Sequence, residues 1–177
     1  EGLEPWNEDK APVNGFEDHI GSIIQRLESD YEEERLFALF LTSVSQRKAE
    51  ILASDRYIMN GRTSQIEKDY LSFVKSGKKA KYSFIAEAHE VAGLLYERFQ
   101  PIGTVEAGLY LMWFTVYVEW AKTGGELKNK HAWAAAIEYV WMKLRREKVS
   151  QQTLAESYDL SISTVGKYVK SVNDLLK

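Results

Sequence analysis

Cysteine is absent from the 177 residues. That excludes a disulfide framework and any thiolate metal site, and it points to a reducing compartment, the cytoplasm or the nucleoid. Proline is scarce: two of the three lie in the first fifteen residues, and the third is Pro101. Long helices therefore meet few breakers. No unbroken run of about 18 apolar residues occurs. The densest stretch, residues 107–121, is interrupted by Glu119, so no membrane partner is expected. No basic region followed by an apolar one opens the chain, so no signal peptide is expected. No strand-like alternation and no fixed-period repeat is visible. A net charge of −3 argues against a surface coated for nucleic acid, although a total conceals local patches.

What the chain does have is apolar bulk at helical spacing. Hydrophobic residues make up 45%, with five Trp, ten Tyr and seven Phe, enough for a sizeable core without staples. The expected fold class is all-α, a helical bundle. Residues 1–15 read as an irregular arm, with Trp6 as its one large aromatic. Phe16, Ile20, Ile23, Ile24 and Leu27 form a helical stripe. Asp30 is the expected N-cap of the next helix, whose first turn holds Glu32, Glu33 and Glu34. That helix is expected to run on through Ile51 and Leu52. Asn60-Gly61 marks a break, and residues 63–74 a shorter helix. These make an N-terminal helical region, 16–75. The basic, Gly-broken stretch 75–81 reads as a connector whose lysines face solvent or, less simply, a phosphate. Beyond it, five helical segments are expected over 83–99, 104–123, 130–146, 150–158 and 161–176.

The last two segments carry the strongest signal. Ser150 and Ser161 are placed as helix caps. Leu154 is a core anchor, Ala155 a small residue at a helix crossing, and Asp159 a turn residue tolerant of left-handed backbone. Leu160 fills the gap between helices, and Val165 and Val169 clamp the second helix from beneath. This is a helix-turn-helix over 149–176. The same pattern also occurs as plain packing in helical proteins. It leaves Ile162, Ser163, Gly166, Lys167 and Lys170 facing outward. In a DNA-binding module such residues enter the major groove. Ser161, Ser163 and Thr164 can donate or accept, Lys167 and Lys170 reach guanine or phosphate, and Ile162 suits a thymine methyl or a protein contact. Arg145, Arg146 and Lys148, just upstream, suit phosphates. Residues 143–177 hold seven basic and four acidic side chains, a net +3, so the other 142 residues carry −6. Charge is polarised toward the module, as a double-stranded DNA partner requires.

Other constellations carry less. Glu87, His89 and Glu90 suggest a metal helix, but the second histidine a zinc protease needs is replaced by Gly93. No Glu-x-x-His pair is present. They read as solvated residues. Tyr110, Trp113, Phe114, Tyr117 and Trp120 read as core, with a ligand pocket as the lesser alternative. No nucleophile motif or phosphate loop is found. Neither an enzyme nor a cofactor is expected.

Ala134-Ala135-Ala136-Ile137, with Tyr139 and then Ser150 through Val165, resembles the second half of a cyclin-like repeat of the transcription factor IIB type. The resemblance covers about residues 130–176 and implies a buried Ala-rich helix before a helix-turn-helix that closes a five-helix unit, 83–177. It also implies a recognition helix at 161–170. The chain departs from that family in lacking a Cys-bearing zinc ribbon and a recognisable second repeat. Single helix-turn-helix transcription regulators share the pattern equally well. Two functions stand open: a DNA-binding, transcription-related protein with a partner-binding or self-associating helical region, or a non-enzymatic protein-interaction adaptor.

Overall fold

The computed structural model describes residues 15–54, 63–76 and 83–177. Trp6, the Asn60-Gly61 break and most of the 75–81 connector lie outside the described residues. A 3-10 turn, Phe16–Asp18, leads into α1 (Ile20–Leu27), α2 (Glu32–Val44), α3 (Lys48–Leu52) and α4 (Gln65–Ser76). Then follow α5 (Ser83–Arg98), α6 (Thr104–Ala121), α7 (Lys130–Leu144), α8 (Gln151–Ser157) and α9 (Ile162–Leu175). The fold is an all-α bundle, with no strand among the described residues.

Three sequence expectations shift in the N-terminal region. Phe16 precedes α1, whose cap is His19: its Nδ1 accepts the Ser22 backbone N–H at 3.1 Å. Asp30 does not cap α2. Tyr31 holds that position, and Ser29 Oγ accepts the Tyr31 N–H at 3.1 Å. The helix expected through Leu52 breaks at Ser45, which is extended at ψ 141°. Asp18 Oδ1 accepts the Gln46 N–H at 3.2 Å and Ser45 Oγ the Arg47 N–H at 3.0 Å. A distant aspartate and a local hydroxyl thus take the donors that a continuing helix would have used.

Two helices are surrounded. Residues 36–41 of α2 are all buried, with α1, α4 and α6 packed around them. Residues 132–138 of α7 are likewise buried, and α5, α6, α8 and α9 pack against it. Alanines 132, 134, 135 and 136 let those neighbours approach the α7 backbone. Tyr110, Trp113, Phe114 and Tyr117 are at most 1% exposed and pack as core; the Trp113 Nε1–H donates to the Ala88 carbonyl at 3.1 Å. One continuous apolar core runs from Phe16 to Val172.

Candidate functional site

The C-terminal module is built as its residue types dictate. Ser150 Oγ accepts the Thr153 N–H at 3.0 Å, and Ser161 Oγ accepts the Thr164 N–H at 3.1 Å. Each satisfies a donor that the first turn of a helix leaves open. α8 ends in a Schellman closure. Asp159 takes φ 57°, its N–H reaches the Glu156 carbonyl at 3.3 Å, and the Leu160 N–H reaches Ala155 at 2.7 Å. Leu154, Ala155, Val165, Val169 and Val172 are buried, with Leu160 half-buried against them.

Outward lie Ile162, Ser163, Lys167 and Lys170, all exposed. Ile162 keeps half its surface in solvent, 50%. Ser161 and Thr164 are less available: their hydroxyls lie 2.7 Å apart, and Ser163 Oγ is 3.2 Å from Ser161 Oγ. The Lys167 ammonium sits 5.9 Å from the Tyr168 ring centroid. Gly166 is half-buried, and a Cβ there would meet the end of the flexible Gln151 side chain of α8, its Oε1 at 2.9 Å.

The upstream basic trio is divided. Arg146 stands at φ 60°, closing α7 by the same device as Asp159: its N–H reaches Lys143 at 3.0 Å and the Glu147 N–H reaches Met142 at 3.0 Å. The Arg145 guanidinium lies 5.0 Å from the Trp141 ring centroid and pairs with Glu147. It lines a pocket of about 580 Å³ with Arg98, Glu138 and Trp141. Lys148 is exposed. No hydrogen bond or ion pair among the described residues joins this trio to Lys167 or Lys170.

Two features escape the sequence reading. The first is a triad centred on a buried carboxylate. Glu138 on α7, 3% exposed, accepts Arg98 Nε–H and Nη2–H of α5, both at 2.8 Å, and the Tyr158 hydroxyl, also at 2.8 Å. The hydrogen bond to Glu138 holds the Arg98 guanidinium above its usual pKa despite burial. Burial first and the Glu138 carboxylate second push the Tyr158 phenol well above its ordinary range. The triad fixes the C-cap of α8 to the centre of the bundle. Its signal is an acid inside a run of buried small residues, which demands a cationic partner. The second is an apolar groove of about 830 Å³ between α6, α7 and the end of α9, lined by Leu111, Met112, Val140, Leu144 and Leu176. His89 is a related correction. It is half-buried: the Tyr70 hydroxyl lies 2.9 Å from its Nδ1, and the Phe40 and Phe73 rings lie 5.5 and 5.1 Å from it. No cluster of three metal-ligating side chains occurs among the described residues, and no helix there is long and apolar enough to cross a membrane.

No family model and no solved structure matches the chain. It is similar to the TPR repeat-containing protein YvcD of Bacillus subtilis (strain 168), 24% identical over 197 aligned positions that span 97% of this chain. The chain spans 39% of that relative's length.

Proposed function

We propose that this protein is a non-enzymatic helical adaptor, built as a cyclin-like unit, whose helix-turn-helix face docks a protein partner. The observation that carries this is Ile162. A large apolar side chain, half in solvent, stands in the first turn of a helix whose underside is fully packed. Ser163 beside it is exposed and uncharged, so the face offers an apolar centre with a hydroxyl and a lysine around it. Interfaces place such apolar anchors centrally with polar groups at the rim. The relative's printed name, a TPR repeat-containing protein, fits a helical scaffold for protein contacts. Site-specific photo-cross-linking from position 163 in cells tests it. A discrete protein adduct that Ile162→Asp abolishes is the expected result. Adducts to nucleic acid alone, or an adduct indifferent to Ile162→Asp, overturn it.

A second reading is double-stranded DNA binding in a transcription-related role. It is favoured by Lys167 and Lys170, exposed at i, i+3 on a helix that carries no acid before Asp174. Ser163 and Ile162 would then meet base edges, with Arg146 and Lys148 on phosphate. Titration of a duplex across several salt concentrations separates the readings. Under this one, Lys167→Ala with Lys170→Ala lowers the salt slope by about 2.

A further inference from the structure

The pocket beside the Glu138 triad holds charges of both signs, and two of its polar atoms are not spent on the protein. Its volume of about 580 Å³, between the end of α5, the start of α6 and the end of α7, is the size that takes a small molecule. One wall is apolar. Trp141 and Phe99 pack edge to face there with centroids 5.5 Å apart, and Met142 and Val105 lie beside them. The polar groups are two guanidiniums, Arg98 and Arg145, and three carboxylates, Glu106, Glu138 and Glu147. Most of that charge is paired. Arg145 pairs with Glu147, and Glu138 takes the Nε–H and Nη2–H of Arg98. Two atoms are left over. Arg98 Nη1 has no hydrogen-bond partner among the described residues, on a side chain that is still 37% exposed. Glu106 Oε1 accepts the Gly103 N–H at 3.0 Å, and its Oε2 has no partner among the described residues.

We propose that this pocket binds a free α-amino acid with an apolar side chain. The carboxylate meets Arg98 Nη1, the ammonium meets Glu106 Oε2, and the side chain lies on Trp141 and Phe99. Three observations choose this ligand. Two guanidiniums against three carboxylates leave the pocket at −1, so a simple anion enters against a net like charge. A simple cation suits Glu106 but covers the Arg98 N–H without an acceptor. A zwitterion answers both groups and leaves the net charge unchanged. Second, the Arg98 guanidinium is held ready. Besides its two bonds to Glu138, its central carbon lies 4.9 Å from the Tyr158 ring centroid and 5.9 Å from that of Phe99. A donor already in place costs little ordering when the ligand arrives. Third, Val105 keeps 47% of its surface in solvent at the rim of the apolar wall, and an apolar side chain gains by covering it.

The site adjoins the helix-turn-helix without using its face. The Glu138 oxygen that accepts the Arg98 Nε–H also accepts the Tyr158 hydroxyl at the end of α8. None of the outward residues of α9 lines the pocket, so the proposal stands whatever that face binds.

Isothermal titration of the full chain with glycine, L-leucine, L-methionine and L-phenylalanine is the test. The N-acetyl and amide forms of the last three serve as controls, each keeping one charge, as a peptide terminus does. At least one of the three apolar amino acids is expected to bind with a dissociation constant below about 1 mM. Glycine and both blocked forms of that amino acid should bind at least about tenfold more weakly. Glu106→Gln keeps an oxygen for the Gly103 N–H and removes the charge. It should weaken binding about tenfold or more while far-UV circular dichroism stays unchanged. The blocked forms decide the matter on the parent chain should that variant fold poorly. No binding by any of the three in that range, blocked forms as tight as the free amino acid, or a folded Glu106→Gln with unchanged affinity overturns the proposal.

Discussion

Asp159 and Arg146 do the same job with different chemistry. Both hold a left-handed backbone just past the end of a helix, at φ 57° and 60°. Both close the helix with the paired carbonyl contacts of a Schellman motif. Glycine is the residue without a steric cost in that conformation. Asp159→Gly is therefore expected to stabilise the protein by about 1 kcal/mol, the relief of left-handed strain exceeding the added freedom of the unfolded chain. Urea unfolding at neutral pH measures it, and a midpoint that falls in the variant contradicts the account. The two positions were not equally legible. Asp between a short helix and a serine cap announces a turn. Arg146 carries no such signature, and its part in closing α7 shows only in its backbone angle. Glu138 is a middle case: a buried acid among alanines signals a cationic partner, but nothing local says that the partner is Arg98, forty residues earlier.

Among elements, α2 and α4 are joined by a clamp that is more than an ion pair. Arg35 Nε–H and Nη2–H donate to the two Glu67 carboxylate oxygens at 2.6 and 2.9 Å. Glu67 also forms a capping box with Ser64: the Ser64 N–H donates to its Oε2 at 3.0 Å, and the Glu67 N–H to Ser64 Oγ at 3.2 Å. Burial pushes the Glu67 carboxyl up. The Arg35 and Ser64 hydrogen bonds and the Arg35 charge outweigh it and leave the pKa below the ordinary value. A carboxyl depressed in the fold contributes stability above its unfolded pKa, about 4.3, and that contribution is lost as pH falls through the lower folded value. Glu67→Gln is expected to cost about 3 kcal/mol at neutral pH. The difference from the parent should shrink as pH drops below about 4, where the parent's carboxylate is itself protonated. Unfolding curves for both proteins across that range decide it; an unchanging difference means the charge is not the source. The helices themselves were largely legible, because apolar spacing places α4 to α9 within a few residues. The break at Ser45 was not, since no glycine or proline marks it and the decisive acceptor, Asp18, lies on another element.

The whole molecule binds its two halves more closely than the basic stretch at 75–81 suggests. Glu17, 3% exposed, accepts the Tyr96 hydroxyl at 2.9 Å and the Ile102 N–H at 3.0 Å. Burial, then the hydrogen bond to Glu17, holds the Tyr96 phenol above its usual range. Phe40 stacks on Tyr110 with centroids 5.6 Å apart and leans on Phe114 at 6.3 Å. These contacts join residues 70 to 85 positions apart, which no periodicity can reveal. Their energetic consequence is cooperativity. The five C-terminal helices look self-sufficient in sequence, yet Tyr110 and Phe114 have much of their packing supplied by α2. A chain of residues 83–177 alone would expose those rings and leave the Ile102 N–H without its buried carboxylate. Leaving such a group unmet costs about 1–3 kcal/mol, and truncating the packing of each large aromatic costs about as much again. Against a total of roughly 5–15 kcal/mol, that fragment is expected to keep helical far-UV circular dichroism but lose a sharp thermal transition and the near-UV signal of its tryptophans. The full chain should unfold in one step, with both signals changing together. A fragment that melts as sharply as the full chain, at the same temperature, would show that α1 to α4 are an accessory laid on an independent five-helix unit.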